Sequence, residues 1–280
     1  MSRNSSRKKS ATGTPSKPVP ADPVVNSGFN FSTPTEHVDL PSGGKYYPEG
    51  HPLHGKESVE IKYMTAKEED ILTSQNLLKK GLAIERLLES VILDKTINPK
   101  TMLVGDRNAI LVAARITGFG SEYETQITCP ACSKNSEYSF DLEEAGRKEV
   151  VLPEGVEETD SGTFTLTLPI TGVVTEVKLL NGADESKILA NQESKRKHKL
   201  PESPLTDQLK AIIVSVNGHA ERSVINNFVD NMPSRDTRHL RKAYENLTPN
   251  IDMSYEFTCT NCGHETDVEV PFTVSFLWPK

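Results

Sequence analysis

The chain has 280 residues, of which 35% are apolar, 25% charged and 6% aromatic, with a net charge of −7. This excludes collagen-like, low-complexity and wholly disordered classes, and the length suffices for one large or two small domains. No segment approaches the roughly 20 uninterrupted apolar residues of a membrane helix, the longest apolar run being Ala109–Ala114, closed by Arg115.

Residues 1–35 hold Arg3, Arg7, Lys8, Lys9 and Lys17 against the single acid Asp22. Ser, Pro, Lys and Arg dominate this stretch and leave little to bury, so the expectation is a disordered basic tail. No apolar h-region follows the early cations, which argues against a secretory signal and for a reducing cytoplasm. A basic tail can touch nucleic acid, yet this one lacks interleaved aromatics and the rest of the chain is acidic. It reads as a solvated arm, with nucleic acid an unlikely partner.

From Val38 the composition changes, and Pro41–Gly50 (Pro-Ser-Gly-Gly-Lys-Tyr-Tyr-Pro-Glu-Gly) reads as an ordered turn. Alternation over Val59–Met64 predicts a strand, and Thr65 with Glu68 three positions on predicts a helix start. Apolar residues at mixed three and four spacings carry helix to Leu93, with Gly81 as a break between two helices. A third helix follows Gly105 and stops at Gly118 and Gly120. Glu68, Glu69 and Asp70 suit the positive end of a helix dipole, and Asp106 with Arg107 reads as a capping and pairing site at the next helix start.

Beyond Gly120 the period changes to two. Tyr123, Thr125 and Ile127 alternate with Glu122, Glu124 and Gln126, giving a strand into Cys129, and Glu137–Leu142 gives the strand that leaves Cys132. Phe164–Leu168 and Val173–Leu180 form a second predicted hairpin. Helices are expected from Ala183, over Pro204–Val216, over Ser223–Asn231 and over Ser234–Leu247. The basic run Lys195–Lys199 reads as a solvated helix end. Strand Asp252–Thr258, the pair Cys259 and Cys262, strand Glu265–Val270 and an apolar segment Phe272–Trp278 complete the chain.

The four cysteines are the chemistry. Cys129-Pro-Ala-Cys132 and Cys259-Thr-Asn-Cys262 each sit between two strands, as in a zinc knuckle, and together they supply the four thiolates of a structural site with no position left for substrate. The unusual feature is the 126 residues between Cys132 and Cys259, where ribbons place their knuckles roughly 15–20 residues apart. Redox C-x-x-C sites start a helix, unlike either pair here, and a disulfide framework belongs to secreted chains. His264 is surplus to a four-cysteine set and reads as a polar hairpin residue. No G-x-S-x-G, H-E-x-x-H or Walker-type loop is present, and Gly118-Phe119-Gly120 ends a helix where a phosphate loop would open one.

The reading is therefore α+β: helical regions with a zinc-ribbon-like β unit made by two C-x-x-C hairpins distant in sequence. Its expected divisions are the tail 1–35, a turn, strand and helices over 36–120, the β unit over 121–145 plus 250–280, and an inserted hairpin and helical region over 146–249.

Several segments resemble the T4-type phage baseplate protein family. They are Leu40-Pro-Ser-Gly-Gly-Lys-Tyr-Tyr-Pro-Glu-Gly50, Met64-Thr-Ala-Lys-Glu-Glu-Asp-Ile-Leu-Thr-Ser74, Leu103-Val-Gly-Asp-Arg-Asn-Ala-Ile-Leu111, Arg115-Ile-Thr-Gly-Phe-Gly120, both knuckles and Val270-Pro-Phe272. Ser133 departs from the pattern, since such knuckles often have Gly there. The resemblance implies a non-enzymatic structural or assembly protein of a contractile-tail baseplate hub, made in the host cytoplasm and built into the virion tail. Its implied partners are other tail and baseplate proteins, its implied metal ligands Cys129, Cys132, Cys259 and Cys262 around structural zinc. Phe272–Trp278 would either dock on a neighbour or complete the chain's own core. The competing reading is a zinc-ribbon nucleic-acid-binding or regulatory protein that uses the basic arm.

Overall fold

Thr35–Asp39 (β1) and Ser58–Lys62 (β2) pair antiparallel and bracket the Pro41–Gly50 turn. A computed structural model of the chain describes residues 32–148, 150–270 and 276–277. The basic tail expected over 1–35 lies outside these residues up to Phe31, and Thr35, its last position, instead opens β1.

Three helices follow where two were expected: Ala66–Thr73 (α1), Gln75–Lys79 (α2) and Ala83–Val91 (α3). Gly81, at φ +66°, makes the anticipated break. The additional one falls at Ser74, whose extended backbone (ψ 105°) ends α1. Val104–Phe119 (α4) runs through the core and ends at Gly120. Glu122–Thr128 (β3) and Asn135–Asp141 (β4) form the first knuckle hairpin, and a short 3₁₀ turn leads to Gly146–Lys148 (β5).

Val156–Glu158 (β6), Phe164–Thr167 (β7), Val174–Val177 (β8) and Ile213–Val216 (β9) make an antiparallel four-stranded sheet in that order. Gly182–Lys197 (α5) and Pro204–Ile212 (α6) lie between β8 and β9. The helix expected to run to Val216 stops at Ile212, because Ile213–Val216 fills the sheet position beside β8. Arg222–Asn231 (α7), Ser234–Leu247 (α8), Asn250–Asp252 (β10), Ser254–Thr258 (β11) and Glu265–Glu269 (β12) complete the order, β11 and β12 forming the second knuckle hairpin. The described residues thus mix eight helices with small antiparallel sheets.

Strands β5 and β10 pair antiparallel, Gly146 opposite Asp252 and Lys148 opposite Asn250. The chain therefore leaves and returns at one place, and both knuckle hairpins start from it. Gly105 on α4 admits this neck, since a Cβ there would collide with the Pro249 carbonyl. Asn108 donates to the Asn250 side chain at 3.2 Å, and Arg147 donates to the Leu40 carbonyl.

Buried acids tie loops to this frame. Asp106 does not cap α4, whose N-cap is Leu103, nor does it pair with Arg107. Its carboxylate accepts from the Ser42 N–H (2.9 Å), the Ser42 hydroxyl (2.6 Å) and the Tyr47 hydroxyl (2.7 Å), anchoring the Pro41–Gly50 turn 64 positions away. Arg107 pairs with Glu185 of α5 instead. Asp236 of α8 accepts from the N–H groups of Ile170 and Thr171 and the Thr171 hydroxyl, fixing the β7–β8 turn.

Glu68 closes the expected capping box with Thr65 and also reaches Lys62 Nζ (2.6 Å) and Ser90 Oγ (2.5 Å), linking α1 to β2 and α3. Burial opposes its ionisation, but the Lys62 ammonium and the Ser90 and Thr65 donors outweigh it and bring its pKa from 4.5 to about 2.

Two outcomes follow from these carboxylates. Asp106→Ala, which strands three buried donors, is expected to lower unfolding free energy by about 2–4 kcal/mol, read as a shift in urea midpoint at unchanged slope. Glu68 has its folded pKa below its unfolded one, so the unfolded state binds the extra proton and stability falls as pH drops from about 4.5 to about 2. Glu68→Gln should flatten that part of the stability–pH curve measured by denaturant titration.

Candidate metal centre

The two knuckles repeat one backbone pattern. In the first, the Cys129 N–H donates to the Lys134 carbonyl at 2.9 Å and the Ser133 N–H to the Cys129 carbonyl at 2.8 Å. In the second, the Cys259 N–H donates to the His264 carbonyl and the Gly263 N–H to the Cys259 carbonyl, both at 2.9 Å. Each turn closes only if the residue after the second cysteine enters the left-handed region, which Gly263 does at φ +69° and Ser133 at φ +56°. Ser133 carries a Cβ there and is strained where Gly263 is not.

All four sulfurs lie within 4.8 Å of one another. Cys129 Sγ is 3.7 Å from Cys262 Sγ, and Cys132 Sγ is 3.8 Å from Cys259 Sγ, so each short contact crosses between knuckles. A tetrahedral zinc with bonds of about 2.3 Å would set its sulfurs about 3.8 Å apart. All four cysteines are free thiols, and these separations far exceed the roughly 2.05 Å of a disulfide. The first cysteine of each pair is buried, and the second is more exposed.

The turns favour thiolate at two of the sulfurs. The N–H groups of Cys262 and Asn261 lower the pKa of Cys259 to about 6, and the Lys134 N–H lowers that of Cys132. At Cys262 the His264 N–H acts in the same direction but is overcome by burial and by the Cys132, Cys259 and Cys129 sulfurs, which push its pKa up to about 12. Four sulfurs crowded this closely favour a shared cation, and the donor set is that of zinc or another thiophilic ion.

The surrounding contacts bridge the hairpins. Asn261 donates through Nδ2 to Cys132 Sγ at 3.6 Å and accepts from Lys134 Nζ at 2.8 Å. The Tyr138 hydroxyl donates to the Glu256 carbonyl and the Tyr255 hydroxyl to the Asp141 carbonyl, a reciprocal exchange. The rings of Tyr138, Phe140, Phe257 and Tyr255 pack in a chain with centroids 4.8–5.5 Å apart. Asn261 and Lys134 had no signal in the sequence beyond their places inside and beside the C-x-x-C pairs. His264 contributes its backbone, and its side chain stands exposed.

Of the apolar C-terminal segment, Phe272, Val274 and Trp278 lie outside the described residues. Phe276 and Leu277 are buried, and the Phe276 ring meets Tyr123 edge-on at 5.3 Å, so these two complete the chain's own core and are not free to dock on a neighbour.

A family model described as T4 bacteriophage base plate protein matches residues 33–278. No curated protein and no solved structure matches the chain.

The asymmetry between the turns is testable. Ser133→Gly should stabilise the protein by about 0.5–1 kcal/mol and Gly263→Ser should destabilise it by about 1 kcal/mol, both measured by urea unfolding of protein prepared with zinc.

Proposed function

The chain belongs to the T4 bacteriophage base plate protein family, and on that premise we propose that it is a non-enzymatic subunit or assembly protein of the baseplate hub. In this reading one structural zinc is held by Cys129, Cys132, Cys259 and Cys262, and the protein works by binding other tail and baseplate proteins. Family membership carries a structural role in the phage baseplate, at the virion tail. No helix among the described residues is long and apolar enough to cross a membrane.

The observation that carries the metal reading is the meeting of four sulfurs from segments 127 positions apart, at edges a tetrahedral ion would span. The ion would supply a crosslink between the hairpins and neutralise their thiolates. Residues 121–145 and 250–280 are then a zinc-ribbon-like unit, 146–249 an insertion closed at its neck by β5 and β10, and 36–120 the turn, strand and helices that support it. The non-enzymatic reading is supported by the buried acids. Glu68, Asp106, Asp184, Asp207 and Asp236 are each spent on backbone, hydroxyl or lysine donors, which leaves none of them free for acid–base chemistry.

Metal analysis of the purified full chain should find about one zinc per chain, while Cys259→Ser should lose the zinc and much of the thermal stability. Zinc near one-half per chain, or none, overturns the single-site reading. Quantitative mass spectrometry of purified particles should return a fixed copy number. Presence only in assembly intermediates assigns a factor that leaves the particle. Absence from both rejects the hub role and favours the nucleic-acid reading.

A further inference from the structure

Helix α5 is anchored at its start by an Asn181–Asp184 capping box and by Arg107, but from Ser186 to Lys197 none of its residues is buried. Leu189 is 58% exposed on this helix, and Leu200 just beyond it is 56% exposed. Apart from Leu93, every exposed large apolar side chain among the described residues falls between Val151 and Val224.

Within it, the stretch from Ser186 to Glu202 is basic. Lys187, Lys195, Arg196, Lys197 and Lys199 stand against Glu193 and Glu202. Lys195 is engaged by Asp207 and Ser203 at the α6 start. The Arg196–Glu202 and Lys197–Glu193 pairs are exposed and contribute little. Lys187 and Lys199 have no ion-pair partner among the described residues.

The outer face of the β11–β12 hairpin is the converse. Glu256, Glu265, Asp267 and Glu269 are exposed there, and no Lys or Arg occurs from Asn250 to Val270. Glu256 sits directly opposite Asp267 in the antiparallel register, an arrangement that destabilises a sheet unless a cation meets it. None of these four carboxylates is in an ion pair among the described residues.

We propose that these two faces are halves of one head-to-tail contact between copies of this chain, the exposed stretch of α5 from Leu189 to Lys197 together with Lys199 and Leu200 of one copy docking on the outer face of β11–β12 of the next. Each face repels its own kind, and together they match in sign. Leu189 and Leu200 give the basic face the apolar component that a charge-only contact lacks. A heterologous contact of this kind closes into a ring or runs on as a filament. The proposal deepens the assembly reading above by naming a partner, and it rests on that reading only for its biological setting.

Sedimentation velocity of the full chain tests it. Wild-type protein should self-associate with rising concentration at about 0.05 M salt and weaken roughly tenfold or more at about 0.5 M. Arg196→Glu with Lys199→Glu should make a monomer, as should Glu256→Lys with Asp267→Lys. Mixing the two variants should restore association, because each reversed face then meets its opposite. Circular dichroism and zinc content should match wild type in both, which separates a lost contact from a lost fold. A wild-type chain monomeric at every concentration, association indifferent to both variants, or a mixture that stays monomeric would each overturn the contact. Any of these alongside a fixed copy number in particles would leave the baseplate reading standing.

Discussion

The antiparallel pairing of Gly146–Lys148 with Asn250–Asp252 is the constraint on which the rest depends. It joins two points about a hundred residues apart, and closing a loop of that length costs about 4 kcal/mol in chain entropy beyond a constant. Three residues of ladder do not offset that alone. The neck is instead held by its surroundings, with Gly105 of α4 letting the Pro249 backbone approach, Asn108 on Asn250 and Arg147 on the Leu40 carbonyl. Because β4 leads into β5 and β10 leads into β11, fixing the neck fixes the roots of both knuckle hairpins and brings their tips together.

The same logic explains where the buried carboxylates sit. Asp106 lies one position after Gly105 and holds the Pro41–Gly50 turn, so the helix that seats the neck also seats the N-terminal loop from which Leu40 receives Arg147. Asp236 performs the corresponding task for the four-stranded sheet, pinning the β7–β8 turn to α8, the helix that runs directly into Pro249. Each carboxylate is itself fully buried and takes three donors, and the cost of leaving a buried carboxylate unmet gives these contacts their directing force.

Much of this was legible in the chain itself. The knuckles, their flanking strands, the α4 boundaries and the Thr65–Glu68 capping box carry strong local signals, because spacing, period and cap residues act over a few positions. The misreadings have a common physical origin. Ile212-Ile213-Val214 is a short apolar run that suits helix or strand equally, and only the vacant place beside β8 decides for strand. β5 and β10 are three residues each, too short for any period, and exist because α4 receives them. Asp106 sits where a helix-start acid is expected and serves a turn 64 positions away, which no local pattern can report. Ser133 was visible as a departure from glycine, and the structure supplies its consequence, a side chain held in the left-handed region.

Two-stranded hairpins are marginal in water unless a further layer supports them, and each knuckle hairpin here carries an adverse carboxylate pair across its strands, Glu122 opposite Asp141 and Glu256 opposite Asp267. Support comes from the inner faces, where Tyr123, Ile127, Phe140 and Phe257 are buried, and from the Tyr138 and Tyr255 hydroxyls, which donate across the seam to the Glu256 and Asp141 carbonyls. A metal among the four sulfurs would add a second anchor at the tips, opposite the neck at the roots. A unit pinned at both ends can carry outer faces that oppose its own folding. Those faces are then free to be specified by what they meet, while the apolar exposure of the described residues is concentrated between Val151 and Val224. The segregation of acidic strands from basic and apolar helix is what a subunit needs if its contacts are to be directional.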